Sequence, residues 1–269
     1  MANTQTTAFI TQFEDEIKIA YQQRQSLLAG TVFKRSVEGS TVKFPYLGVV
    51  ETTTKVRNAD VVPVDADHLN ATATMEDFYA PIYLDSLDEV KTNQDLRRAY
   101  VDATVSAVNR KLDKIIITAM TLGTRTLPAP HAVAGAWTKA RHLAAVQMLA
   151  EAEVDQEDRY MLINPAMLTA IYNIPEFTNH DYTSLSPAEN GKIGMLFGIN
   201  VIVSNLLPAV SNVTQAIYYN KRAVGLGVNA ELKTEVNYIP QKVSTLVNTF
   251  GSAGAVIIDP AGVIEVAVS

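Results

Sequence analysis

Gly39-Ser40-Thr41-Val42-Lys43-Phe44-Pro45-Tyr46-Leu47-Gly48-Val49-Val50-Glu51-Thr52-Thr53-Thr54-Lys55-Val56-Arg57-Asn58-Ala59-Asp60-Val61-Val62 is the stretch on which the reading of this chain turns. Its β-branched and aromatic residues alternate with polar ones, so Val42, Phe44 and Tyr46 share one face of a strand. The extended pattern continues to a polar tip at Asn58-Ala59-Asp60, returns through Val61 to Met75 and runs on to Tyr83 without a helical period. More than thirty residues of half-polar extended chain make a poor interior segment, which predicts a long β-hairpin leaving the body of the subunit. A lone two-stranded hairpin is marginal in water, so this one needs a neighbour to lie on.

Working outward, the first thirty residues repeat apolar positions at helical spacing, Phe9, Phe13, Ile17, Ala20 and Tyr21. That face is too small to fold alone, so the arm must also rest on something. Thr31 to Gly48 reads as strand, turn and strand, with the turn at Gly39-Ser40. Beyond the hairpin, Thr92-Asn93 offers an N-cap for a helix over 93–120, apolar at Leu96, Tyr100, Ala103, Val108, Leu112, Ile115 and Ala119. About 28 residues give a rod of about 42 Å. Its other face, with Asp95, Arg97, Arg98, Asp102, Arg110, Lys111, Asp113 and Lys114, reads as solvated or interfacial. A Gly/Pro-rich break over 121–135 precedes an α/β pattern: a helix over Trp137–Glu153, a strand at Tyr160–Ile163, and a helix Ala166–Tyr172 opened by Pro165. An irregular stretch over 174–190 follows, then a turn and a buried strand within Ile193 to Pro208, a strand at Ala216–Tyr219, a short helical turn at Lys221–Val224 and further strands over 231–268 around Thr249 to Gly254.

The chain has 269 residues, 22 Lys+Arg against 28 Asp+Glu and a net charge of −6, which argues against a protein that coats nucleic acid through a positive excess. Charged residues make up 19% and apolar ones 48%, so less surface is spent on charge than in an average soluble domain, as extra buried interface would explain. With no cysteine, disulfides, thiolate metal sites and cysteine nucleophiles are all excluded. The polar start Met1-Ala2-Asn3-Thr4-Gln5 lacks the features of a signal peptide, and no apolar run approaches the length of a membrane span, so the expectation is a soluble cytoplasmic product.

Candidate chemistry is sparse. Asp65-Ala66-Asp67-His68 could begin a divalent-metal site, but on a strand His68 points away from the two carboxylates. Gly191-Lys192-Ile193-Gly194 lacks the Ser/Thr of a phosphate loop, and Gly225-Leu226-Gly227 lacks the third glycine of a dinucleotide fingerprint, so packing is the better reading of both. His180-Asp181 has no nucleophile elbow to serve. The expectation is therefore no catalytic residue, no metal and no cofactor.

The order of these parts, from arm and projecting hairpin through long helix and α/β region to terminal strands, resembles the major capsid proteins of tailed bacteriophages with the Hong Kong 97-type fold, closest to those of short-tailed phages. Phe33-Lys34-Arg35-Ser36 through Gly48 is similar to the family's entry to its extended loop, and Gly198 to Pro208 to a strand of its axial domain. Ala223-Val224-Gly225 and Gly254-Ala255-Val256 look like its late segments. The resemblance implies an α+β fold in which 1–40 is the N-terminal arm and lead-in strand and 41–80 the extended loop. It makes 81–133 with 230–269 the peripheral domain around spine helix 93–120, and 134–229 the axial domain. It also implies self-assembly into hexamers and pentamers of an icosahedral shell around double-stranded DNA, in the host bacterial cytoplasm, with scaffolding and portal proteins and a decoration protein as partners. Phe9, Phe13, Ile17, Tyr21, Val49, Val50, Lys55, Val56, Arg57, Asp60, Val61 and Val62 become the candidate inter-subunit contacts. Some family members cross-link through a lysine and an asparagine of neighbouring subunits, with a glutamate assisting; Lys55 lies near the tip, but neither partner is matched by motif. The alternatives are an encapsulin-like shell carrying protein cargo, which the absence of nucleic acid in purified shells would reveal, and a soluble α/β enzyme or ligand-binding protein, which would be a monomer with a saturable site.

Overall fold

The structure is a computed structural model describing residues 25–85, 96–122, 125–174, 194–210 and 213–268. In chain order the described elements are β1 (Phe33–Ser36), β2 (Thr41–Leu47), β3 (His68–Thr74), β4 (Glu76–Asp85), α1 (Leu96–Met120), β5 (Arg125–Thr126), α2 (Lys139–Glu151), β6 (Arg159–Ile163), α3 (Pro165–Tyr172), β7 (Met195–Leu196), β8 (Ile199–Val203), β9 (Ala209–Val210), β10 (Val213–Asn220), β11 (Val224–Ile239), β12 (Ser244–Ile257) and β13 (Val263–Val268). Among the described residues no helix is long and apolar enough to cross a membrane. The expected N-cap at Thr92-Asn93 and the sites at His180-Asp181 and Gly191-Lys192-Ile193 lie outside the described residues.

The described residues divide into two compact units, one drawn from 25–26, 77–85, 96–112 and 230–252, the other from 27–76, 113–122, 125–174, 194–210, 213–229 and 253–268. Helix α1 and strands β11 and β12 run from one into the other by chain continuity. In the first unit, helix residue Thr104 meets strand residue Thr249 hydroxyl to hydroxyl at 2.8 Å, and Thr234 meets the same Thr249 at 2.9 Å. Thr104 and Thr249 are buried, and each hydroxyl left unsatisfied there would cost about 1–3 kcal/mol.

The second unit is built on a mixed sheet of order β5-β13-β10-β6-β8-β7, with β9 beside β10. Its central strands, β6, β10 and β13, are nearly continuous runs of buried residues, as strands covered on both faces must be. Helices α2 and α3 pack Ala145, Leu149, Met167 and Ile171 against Met161, Ile163, Tyr218, Ile264 and Val266. Each helix begins at a side-chain cap: Thr138 Oγ1 accepts from the Arg141 N–H, and Asn164 Oδ1 from the Met167 N–H at 2.7 Å, with Pro165 in the first turn.

Three expectations need correction, and the strands expected around Gly39 are present but join different sheets: β1 pairs in parallel with β11, whereas β2 pairs antiparallel with β3. Left-handed Gly39, at φ +119°, turns the chain from one sheet to the other. The extended run to Tyr83 is not one hairpin limb, because the chain leaves the hairpin at Met75 and β4 joins the sheet β1-β11-β12-β4. Between Leu47 and His68 the hairpin has no strand ladder. Finally, Asp113 does not belong to a solvated helix face. It is fully buried, and its two carboxylate oxygens accept the backbone N–H groups of Leu27 (3.1 Å) and Leu28 (3.2 Å), which is how a buried charge is tolerated.

Candidate assembly surface

The base of the hairpin is firmly held. Val42, Phe44 and Ala73 are buried with Val37 and Ile258, and Tyr46, Ala71, Met75 and Val256 pack around them. The glycines of Gly225-Leu226-Gly227 make this possible: a Cβ at Gly225 would stand 2.9 Å from the Phe44 ring, and one at Gly227 2.7 Å from a Val42 methyl. The packing reading of that motif therefore holds.

Past Leu47 the environment changes. Of residues 49–65 all are exposed, and Val49 retains 95% of its accessible surface, Val56 79% and Val61 68%. Val50, Val62 and Val64 are exposed as well. Six exposed valines on one loop, none of them a member of the two buried clusters described above, form an unusually apolar surface segment. Lys55, Arg57 and Asp60 ring the tip and are also exposed, so the loop half of the predicted contact residues is gathered in one surface segment. Phe9, Phe13, Ile17 and Tyr21 lie outside the described residues.

Asp65, Asp67 and His68 are exposed at the foot of this loop, and among the described residues no group of three or more metal-capable side chains is gathered. A cleft of about 500 Å³ lies between the 125–131 segment and α2, lined by Arg125, Pro128, Pro130, His131, Gln147 and Glu151. Glu151 accepts a 2.7 Å bond from Gln147 Nε2, which ties up the carboxylate of the cleft. Near the cleft, Arg141 holds the Pro-rich segment to the sheet by donating to the carbonyls of Val133 (2.6 Å), Gly135 (3.1 Å) and Ala267 (2.7 Å).

One titratable group escaped the sequence reading because no motif surrounds it. His142, on α2, is fully buried among the rings of Trp137, Phe197 and Tyr218, with centroids 5.5–5.8 Å away. Its Nδ1 lies 3.0 Å from the Tyr218 hydroxyl, which lies 3.4 Å from Trp137 Nε1. The indole donates to the phenol oxygen, so the phenol O–H is free to donate to Nδ1 and the imidazole carries its proton on Nε2, which has no partner. Burial lowers its pKa from 6.5 to about 4. This is a structural histidine, remote in character from acid–base chemistry near neutrality.

The fold agrees with what the chain is similar to. The family described as phage capsid protein matches residues 5–269. No curated protein sequence matches the chain. Among solved structures, a chain from Mycobacterium phage Che8 superposes with a TM-score of 0.76 at 19% identity, covering 94% of each chain. The capsid of cyanophage P-SCSP1u gives 0.75 at 18% identity, covering 98% of this chain and 94% of that one. The mature capsid of bacteriophage PhiM1 gives 0.72 at 13% identity, covering 96% and 91%. With a family match spanning nearly its whole length, the chain belongs to the phage capsid protein family and carries the Hong Kong 97-type fold as a major capsid protein.

Proposed function

We propose that copies of this major capsid protein join as hexamers and pentamers into an icosahedral shell that encloses double-stranded DNA, and that its role is structural and not catalytic. The observation that carries the reading is the valine-rich loop 48–67, exposed throughout its middle and joined to a well-packed base. Burying a valine fully is worth about 1.5–3 kcal/mol, so six of them offer about 9 kcal/mol or more before the costs of association, repeated at every subunit contact of a shell. Closed symmetric assembly also suits a surface with few charges.

In this reading residues 1–40 are the N-terminal arm and lead-in strand, and 41–80 the extended loop lying over an adjacent subunit. Residues 81–133 and 230–269 form the peripheral domain, and 134–229 the axial domain around each capsomer axis. Phe9, Phe13, Ile17 and Tyr21 of the arm and Val49, Val50, Lys55, Val56, Arg57, Asp60, Val61 and Val62 of the loop are the proposed contacts. Assembly takes place in the host bacterial cytoplasm with scaffolding and portal proteins, and a decoration protein is a further partner. The net charge of −6 supports a wall that holds DNA without sequence-specific binding.

Deleting residues 52–62 tests the proposal. Light scattering and negative-stain electron microscopy should find a soluble, folded subunit of the deletion that forms no shells, where the full chain forms shells or capsomer rings. Normal shells from the deletion would overturn the role given to the loop, and nucleic acid absent from purified full-length shells would favour a compartment for protein cargo.

A further inference from the structure

The unpaired loop 48–67 is not free of its own register. Strands β2 and β3 pair Thr41 with Thr74 and Leu47 with His68. Counting on in the same register places Gly48 opposite Asp67, Thr53 opposite Val62 and Val56 opposite Ala59. All three placements are occupied by contacts: the Gly48 N–H donates to the Asp67 carbonyl at 3.0 Å, Thr53 Oγ1 donates to the Val62 carbonyl at 3.1 Å, and the Ala59 N–H donates to the Val56 carbonyl at 3.0 Å. Below the strands, the Met75 N–H donates to the Ser40 carbonyl at 2.9 Å, again in register. One register therefore runs from Ser40 to the turn at Arg57-Asn58, yet no strand ladder forms between Leu47 and His68.

The parity of the ladder explains the gap. Opposite residues in an antiparallel pair alternate between those that exchange backbone hydrogen bonds and those that do not. The bonded pairs Ser40:Met75, Gly48:Asp67 and Val56:Ala59 fix the sequence, so Val50:Asp65, Thr52:Pro63 and Thr54:Val61 are the intervening bonded pairs. Pro63 has no N–H to give at the one pair in the middle of the limb. Pro45, by contrast, faces Asn70 at a non-bonded pair, where its missing N–H would point outward, and the ladder passes through it intact. The turn adds a second obstacle: of its two central residues Asn58 has positive φ, at 65°, and Arg57 does not, whereas both tight turns that match strand twist need it at the first.

We propose that residues 48–67 are a latent β-hairpin, preset in register at both ends and held open by Pro63. The open limbs leave backbone groups and both sets of valines available: Val50, Val56 and Val61 would share one face of the closed hairpin, and Val49, Val62 and Val64 the other. The occupant of those open limbs is a second copy of this chain, a step that rests on the capsid reading above. The proline is thus a specificity device, keeping the loop from being satisfied within its own subunit before the neighbour arrives.

The chain lacks cysteine, which allows a direct test on the dissociated subunit, independent of whether shells form. Glu51→Cys with Val64→Cys forms an in-register, non-bonded pair, the geometry that a disulfide fits. Glu51→Cys with Val62→Cys is the out-of-register control. With oxidised glutathione as oxidant, adding Pro63→Thr should speed closure of the in-register pair about tenfold, while leaving the control within about twofold, and Pro45→Thr should change neither. The comparison is made within each cysteine pair at an exposed position, so folding is common to both arms. No acceleration by Pro63→Thr, or equal acceleration of both pairs, overturns the proposal. Failure of the deletion test with success here would leave the hairpin latent and remove only its occupant.

Discussion

Acid should weaken this subunit through one side chain, and His142→Phe should isolate the effect. The folded pKa of His142 is about 4 against 6.5 in the unfolded chain. As pH falls below 6.5 the unfolded chain binds a proton that the folded one refuses, so stability is lost progressively through the window from 6.5 to 4. The whole effect, about 2.5 pKa units, is about 3 kcal/mol, and about 2 kcal/mol of it falls between pH 7 and pH 5. Protonation would place a charge among Trp137, Phe197 and Tyr218 and turn Nδ1 from acceptor to donor against the Tyr218 hydroxyl. Phenylalanine keeps a ring in the cage and removes the titration. At pH 7 the substitution forfeits the Tyr218 bond but also removes a buried Nε2–H without a partner, so the net change should stay within about 1 kcal/mol of either sign. Urea denaturation of the dissociated subunit at pH 7, 6, 5 and 4 reads the difference. Carboxylates common to both proteins shift both curves, so the quantity that matters is wild type minus variant. That difference should move in the variant's favour by about 2 kcal/mol between pH 7 and pH 5. Parallel curves would refute the reasoning, because they would mean that His142 titrates alike in the folded and unfolded chains.

Three further outcomes follow from the packing. Gly254→Ala would drive a Cβ into the backbone carbonyl of Thr74, which cannot yield as a side chain can, and should cost about 3 kcal/mol or more in the denaturation midpoint; Gly225→Ala, which meets the Phe44 ring, should cost less. Asp113→Asn keeps the size but exchanges one of two accepting oxygens for an amide donor facing the N–H groups of Leu27 and Leu28, so it should cost about 2–3 kcal/mol and raise hydrogen exchange at those two amides. Arg141→Lys keeps the charge but cannot reach three carbonyls with a planar fork, so limited proteolysis should cut the 127–136 segment faster while the midpoint falls by about 1–2 kcal/mol.

Much of the fold was legible where periodicity and punctuation coincided. The alternation of Val42, Phe44 and Tyr46 marked a half-buried strand, and the apolar spacing of Leu96 to Ala119 marked a helix that spans Leu96–Met120. Pro165 behind Asn164 marked a helix start to within one residue. Strand partnership was not legible. Phe33–Ser36 finds its partner in Gly225–Val228, nearly two hundred residues away, and no local pattern encodes that distance. Asp113 and His142 were misread or missed for a related reason: each looks like an ordinary polar residue on a helix, and only tertiary structure shows that one satisfies two backbone donors and the other is caged by aromatic rings. The loop valines were expected on an extended run leaving the body of the subunit, and their individual exposures are what the structure adds.

The exposure of those valines bears on how a capsid subunit divides its apolar residues between folding and assembly. Its tightly packed elements carry the buried sheet β5-β13-β10-β6-β8-β7 and the hairpin base, where a single added methyl is predicted to be felt. Six exposed valines without a place in that packing lie in one segment whose strand pairing is interrupted at Pro63, in a register that the flanking strands already impose. A loop satisfied within its own chain would gain stability for the monomer and lose the incentive to bind a neighbour. One left wholly without register would lose more conformational entropy on docking. Fixing the register at Gly48:Asp67 and at Val56:Ala59 while opening the middle lies between these limits, and in the assembly proposed above it would let association supply the burial that folding alone leaves incomplete.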